Sequence, residues 1–202
     1  MDTQLTEDGF FWMRDGVLSP EFCQNLIAKF EACPDKRPGH TLRGYNPTLK
    51  KTVDLLLSGR EEFKEEDNAL FLSLNLNMRD YIGQIRHCPW KGPFDDTGYN
   101  MQRKLPGEYF NWHTDFHADP WENKLRVATF IWYLNDVPGP GGNTEFCNGV
   151  TVEPKQGRMV FFPSDFANMH RGVASEDHTK YIVTGWIYQP IDPRFTPQAN
   201  QP

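Results

Sequence analysis

The rhythm of hydrophobic and polar positions changes near Gly98. Before it, apolar residues recur at helical spacing. Phe22, Leu26 and Phe30 stand four apart, and Ser19-Pro20 supplies a cap and a first-turn proline, so a helix is predicted over FCQNLIAKFEAC. A second helix is predicted from Glu62 to Arg86, with Leu70, Leu74, Met78, Tyr81 and Ile85 on one face. Both stripes are expected to pack on a sheet. From Gly98 onward, short apolar runs alternate with Gly and Pro: NMQRKL, EYFNWHTDF, KLRVATFIWYLN, GGNTEF, VTVEP, GRMVFFP, MHRGVA and KYIVTGWIYQ. In LRVATFIWYLN both alternating sets are apolar, Val127/Thr129/Ile131/Tyr133 and Ala128/Phe130/Trp132/Leu134, which predicts a strand covered on both sides. Gly141-Gly142 marks a turn. Eight short strands point to a jelly roll.

The expected fold is therefore mostly β with supporting helices (α+β): a double-stranded β-helix core over residues 98–189, packed by N-terminal helices. Residues 1–97 are read as helical support and substrate lid, and 190–202 as a proline-rich tail. At 202 residues the chain suits one buried core, so 1–202 is read as a single domain.

Charge and composition narrow the partners. A net charge of −6 argues against a nucleic-acid backbone, which needs concentrated positive charge. No apolar run approaches a membrane span. MDTQLTEDGFF has neither the basic region nor the apolar run of a secretory signal, and a cytoplasmic protein is expected. The four cysteines show no CxxC spacing and are read as reduced thiols that fill core space.

Candidate chemistry begins at His113 and Asp115 in NWHTDFH. Residues two apart in a strand share a face, so the pair could hold one ion, although a polar patch near a loop reads the same way. His170 follows the apolar strand RMVFFPS. Two histidines and one carboxylate, leaving adjacent positions open, is the ligand set of non-haem Fe(II) oxygenases. Lys180 opens KYIVTGWI and shares a face with Ile182, Thr184, Trp186 and Tyr188. Facing inward, its ammonium needs an anion such as a dicarboxylate; facing outward, it is a strand-end charge. Arg171, beside His170, is expected to point to the opposite face. His117 is read as a loop residue rather than a fourth ligand.

Taken together, H-T-D, His170 fifty-seven positions on, Lys180 ten further and T-G-W resemble the Fe(II)/2-oxoglutarate-dependent dioxygenases, in particular their prolyl 4-hydroxylase-like branch. RVATFIWYLNDVPGPGGNTEF resembles that branch's R-x-x-T-x-x-x-Y-L segment and glycine turn, and KQGRMVFFPS its strand entering the distal histidine. The likeness runs from about Asn100 to Ile187. It implies His113, Asp115 and His170 as catalytic iron ligands. Lys180 would pair with the distal carboxylate of 2-oxoglutarate, Thr129 would hydrogen-bond that cosubstrate and Trp186 would line its pocket. Arg126 falls at a substrate-side position, although a surface charge at the start of its strand reads the same way. Two positions depart from the pattern where the branch carries tyrosines: Lys104, which either reaches the cosubstrate itself or faces solvent, and Phe110 on the substrate side, which lacks the phenol's hydrogen-bond donor.

The cofactors implied are Fe(II), 2-oxoglutarate and O2, with ascorbate as a stimulant. The activity implied is hydroxylation of an unactivated C–H bond, foremost of a prolyl residue in a peptide or protein, giving succinate and CO2. A free amino acid or another small metabolite is the alternative substrate, and the segment from Pro34 to Leu57 is expected to select it. Asp115 favours hydroxylation over halogenation. A zinc hydrolase is disfavoured because no H-E-x-x-H spacing accompanies the triad. A non-catalytic jelly-roll binding module is the reading from a different class.

Overall fold

Ser19 Oγ accepts a hydrogen bond from Phe22 N at 3.1 Å and Pro20 fills the first turn, so helix α1 runs Pro20–Ala32 as the spacing predicts. In the computed structural model, which describes residues 3–5, 10–85, 87, 88, 90, 92–119 and 121–191, α1 buries Cys23, Leu26 and Phe30. Phe22 is only half-buried, so Cys23 takes the place expected for it. Helix α2, Lys64–Gln84, follows a 3-10 turn at Glu61–Phe63 and buries Leu70, Leu74, Asn77 and Tyr81. Asn77 is tolerated on this face because Arg14 Nη1 donates to its Oδ1 at 3.0 Å. Arg86, the expected end of this helix, lies outside the described residues.

The strands in the first half are β1 (Thr3–Leu5), β2 (Trp12–Arg14), β3 (Arg37–Pro38), β4 (Val53–Leu56), β5 (Asp95–Asp96), β6 (Asn100–Lys104) and β7 (Phe110–His113). The second half adds β8 (Ala118–Asp119), β9 (Lys124–Tyr133), β10 (Thr144–Phe146), β11 (Thr151–Val152), β12 (Met159–Pro163), β13 (His170–Gly172) and β14 (Lys180–Pro190). All eight segments expected after Gly98 form strands. The larger sheet has the order β1-β2-β12-β9-β14-β6-β4-β3, with β5 on β14 and β8 on β9; the smaller is β11-β10-β13-β7. The pairings are antiparallel, and the two facing sheets are the expected jelly roll.

One expectation needs correction. The first 97 residues are not only helices and lid, because β2 pairs β12 and β4 pairs β6, widening the larger sheet at both sides. Runs of two to four residues are too short to show a period, and their register comes from partners distant in the chain. The expected lid, Pro34 to Leu57, is accordingly in part sheet. Residues 192–202, most of the expected tail, lie outside the described residues.

Both faces of β9 are buried, as its sequence predicts. Ala128, Phe130, Trp132 and Leu134 join Leu26, Phe30, Leu70, Leu74 and Tyr81 in the core between sheet and helices. Ile131 and Tyr133 face inward and join Phe11, Phe146, Val160, Phe162 and Ile182 between the two sheets. A fully buried side chain of this size contributes about 1.5–3 kcal/mol, so β9 anchors both layers. Gly141 and Gly142 have φ of 79° and 78°, and a Cβ on Gly141 would lie 2.0 Å from Ala174 O. Only glycine makes this turn, which carries the Gly142 carbonyl into the barrel. Among the described residues, no helix is long and apolar enough to cross a membrane.

Candidate active site

The smaller sheet pairs β13 with β7 so that His170 lies opposite His113. Their ring centroids are 4.2 Å apart. Asp115 sits two residues beyond the end of β7, so the turn of the chain, not strand alternation, brings its carboxylate to the pair. His113 Nε2 is 3.8 Å from Asp115 Oδ1, and His170 Nε2 is 3.8 Å from Asp115 Oδ2. One donor atom from each of the three lies within 4.8 Å of the others. His113 Nδ1 is 2.8 Å from Asn111 O, and His170 Nδ1 is 3.0 Å from Asn168 O. A carbonyl only accepts, so each Nδ1 carries the proton and each Nε2 turns a lone pair toward the shared space. This is the orienting pattern of metal-binding histidines, and two imidazoles with one carboxylate suit Fe(II).

Asp115 is held just as firmly. Thr129 Oγ1 donates to its Oδ2 at 2.9 Å, and Ser164 Oγ is 2.9 Å from Thr129 Oγ1. Because the Thr129 proton is spent on the carboxylate, Ser164 donates to Thr129. Trp186 Nε1 is buried without a hydrogen bond of normal geometry, yet near enough to favour the Asp115 charge. Burial works to raise the Asp115 carboxyl, but His170 and His113, then Trp186 and Thr129, outweigh it and hold it below the usual carboxylate range. Burial, then the neighbouring His170, push the His113 imidazole down to about 3, against the pull of Asp115. At neutral pH the centre therefore presents a neutral His113 ring beside an ionised Asp115 carboxylate.

A cavity leads from this centre into the barrel, lined by Thr129, Ile131, Ile182, Thr184, Trp186 and, at its inner end, Lys104 and Lys180. Lys180 is 3% exposed and Lys104 is 4% exposed. The inward reading of Lys180 is the one observed, with Ile182, Thr184 and Trp186 on the same face as expected. Its Nζ donates to the Gly142 carbonyl, while Lys104 Nζ donates to Gln102 Oε1 at 3.1 Å. Burial, then the neighbouring Lys104, hold the Lys180 amine well below its ordinary value.

The remaining candidates fall around this axis. Phe110 lies flat on His113, with centroids 3.5 Å apart and planes within 9°. Arg126 is buried: its guanidinium stacks 3.9 Å above Trp186, and Nε donates to Tyr188 Oη at 2.6 Å. It is not the strand-start surface charge that sequence alone also allowed. Arg171 points away, paired with Glu145 and stacked on Trp112. His117 is not among the three clustered donors. Sequence reasoning did not single out Ser164 or Gln102. A serine after an apolar strand and a glutamine two before Lys104 carry no motif, and only the folded pairing gives them partners.

Residues 99–188 match the 2OG-Fe(II) oxygenase superfamily. The family resemblance read from the residues is thus borne out. The chain is 31% identical over 130 residues to Egl nine homolog 1 of Homo sapiens, a match covering 57% of this chain. It spans 29% of the length of that relative. Among solved structures, a prolyl hydroxylase from Trichoplax adhaerens in complex with a hypoxia inducible factor peptide fragment superposes with a TM-score of 0.72 at 16% identity, over 89% of this chain and 84% of that one. A Pseudomonas putida prolyl-4-hydroxylase gives 0.66 at 19% identity, over 89% and 93%. The viral collagen prolyl hydroxylase of Paramecium Bursaria Chlorella virus-1 gives 0.63 at 21% identity, over 89% and 96%. These likenesses establish a shared fold.

Proposed function

We propose that this chain is an Fe(II)- and 2-oxoglutarate-dependent dioxygenase that hydroxylates a C–H bond of a prolyl residue in a peptide or protein, releasing succinate and CO2. The observation that carries the reading is the joint placement of a His113/Asp115/His170 donor set and a buried cationic end along one cavity. When bound, Fe(II) and 2-oxoglutarate would supply the oxidising chemistry of the hydroxylation. The rest is done by the chain. His113, Asp115 and His170 would hold the metal, Lys180 would orient the far carboxylate, and Trp186 with Ile131 would keep water from the passage between them.

A peptide substrate is supported by the rim of the site. The segment before β4 lies along β7, with Asn111 N donating to Leu49 O and Lys51 N to Tyr109 O, both at 2.8 Å. Thr114 Oγ1 donates to Asp165 O at 3.2 Å and joins the turn around Asp115 to the turn before His170. Phe116 and Phe166, on these two turns, are 55% and 81% exposed, an apolar edge suited to an extended chain. The prolyl hydroxylases similar in fold favour proline as the target. Four unpaired cysteines accord with a reducing, cytoplasmic setting.

Anaerobic addition of Fe(II) and 2-oxoglutarate tests the metal reading. A visible charge-transfer band is expected, and its absence from the wild-type protein refutes the dioxygenase assignment. Succinate release over a panel of prolyl peptides and free amino acids then tests the substrate. Turnover of amino acids alone overturns the peptide reading and leaves the metal site standing.

A further inference from the structure

Lys104 and Lys180 are direct cross-strand partners, paired Cα to Cα between β6 and β14. Like charges in that position destabilise a sheet unless something offsets them. Here both side chains are buried, and their hydrogen bonds go to neutral acceptors, a glutamine and a backbone carbonyl. Both reach the same spot: a Cβ on Gly172 would lie 3.5 Å from Lys104 Cε and 3.7 Å from Lys180 Nζ. The acids nearest Lys104 are already engaged. Asp54 accepts from Lys50, Thr52 and Asn100, and Glu108 accepts from Leu105 N. Two buried amines with no carboxylate of their own are an anion site that the protein leaves for a ligand to complete.

We propose that Lys104 and Lys180 form a two-lysine cradle that grips the far carboxylate of a 2-oxo dicarboxylate from two sides, which makes Lys104 a specificity-determining residue of the reaction. The inference rests on the dioxygenase reading above and adds the second lysine to it. A carboxylate has two oxygens and accepts from both amines at once, whereas a 2-oxo acid ending in a methyl group would leave both unpaired. The cradle also links binding to protons. The groups facing Lys104 are Lys180 of β14, Lys50 and Asp54 from the β4 side, Glu108 beyond β6 and His113 of β7. Burial first, then Lys50, push the Lys104 amine down to about 7 in the ligand-free protein. An arriving carboxylate favours the charged amine, so binding above neutral pH takes up a proton.

The test uses the full chain loaded with Zn(II), which binds the donor set without turnover, titrated calorimetrically with 2-oxoglutarate and with 2-oxopentanoate. Repeating each titration in buffers of different ionisation enthalpy counts the protons. Lys104→Met is expected to lower affinity for 2-oxoglutarate about ten- to hundredfold, the loss of a charge-assisted contact, and to leave 2-oxopentanoate binding unchanged. Proton uptake at pH 8 should fall in the same variant. Wild-type affinity and an unchanged proton count in Lys104→Met overturn the cradle, while loss in Lys180→Met alone would leave the dioxygenase reading intact. If the wild-type protein binds neither acid, that reading falls and the cradle with it. Thermal melting checks folding, and Lys104→Gln replaces the methionine variant under the same criteria if that variant does not fold.

Discussion

The two ends of the cavity are built on opposite principles. At the outer end every donor is oriented by the protein: Asn111 and Asn168 carbonyls fix the imidazoles, and Thr129 backed by Ser164 fixes Asp115. At the inner end two lysines lie side by side without a counter-charge. A metal needs ligands held at set positions before it arrives, because coordination is directional. A carboxylate needs charge, and its own arrival favours the protonated amines that burial otherwise disfavours. One end is preorganised by satisfied bonds, the other by an unsatisfied field.

The largest effect should come from removing the carboxylate shared by both histidines. Asp115→Ala leaves two imidazoles and no carboxylate, and the charge-transfer band with Fe(II) and 2-oxoglutarate is expected to vanish. Because Lys104 and Lys180 are untouched, the contrast between the ends predicts a lost metal site in a folded protein. Circular dichroism alongside the absorbance titration separates that outcome from unfolding. A band of wild-type intensity would mean that Asp115 is not a ligand.

A smaller loss is expected from Thr129→Val, which keeps the shape and removes the donor to Asp115 Oδ2. Outer-shell hydrogen bonds of this kind are worth about 10–100-fold in metal affinity. The resemblance assigns Thr129 to the cosubstrate, but its proton is engaged by Asp115. Competition with a chelator, followed by titration of 2-oxoglutarate into fully loaded protein, distinguishes the two roles. Weaker metal binding with unchanged cosubstrate affinity supports the observed geometry; the reverse result supports the resemblance.

The outer end was far more legible in the sequence than the inner one. His113, Asp115 and His170 announce themselves by residue type, and all three meet. Even so, strand alternation is not what pairs His113 with Asp115, because Asp115 lies past the strand. Lys180 was legible in part: the period-two pattern of β14 puts it on one face with Ile182, Thr184 and Trp186 but does not say that this face looks inward. Lys104 was not, since NMQRKL alternates too briefly to say whether the lysine points in or out, and burial of a lysine runs against composition. Its direction follows from pairing with β14 and β4, contacts that no local pattern contains. The same limit hid β2 and β4 and left Arg126 open between surface and interior until the bulge at Ile187/Tyr188 set Tyr188 beneath it.

A moderate effect on stability should expose the cost of the unsatisfied end. The Lys104 amine drops from its ordinary 10.5 to about 7 in the folded protein, with burial as the main cause. Between those values the unfolded chain binds a proton that the folded chain does not, so ligand-free stability rises as pH increases from about 7 toward 10.5. Below about pH 7 both states are protonated and the full penalty of the buried charge remains. Lys104→Met removes this contribution. Urea melts of the ligand-free protein should show the variant more stable than wild type at pH 6, with a flatter rise toward pH 9. A variant less stable at pH 6 would show that the lysine already has a counter-charge.

The smallest effect is expected where the two ends are joined. Arg126 touches both: its guanidinium covers Trp186, a wall of the cavity, and Nη1 reaches the Asp115 carbonyl at 3.5 Å. Arg126→Met keeps much of the length and loses the stack and the Tyr188 hydrogen bond, together about 1–3 kcal/mol. Since the residue ligates nothing, metal and 2-oxoglutarate affinities should fall together, each by about fivefold for every kcal/mol transmitted to its end. A loss confined to one ligand would assign Arg126 to that end. A loss confined to turnover of a peptide, with both affinities intact, would place it against the substrate, as the family resemblance implies.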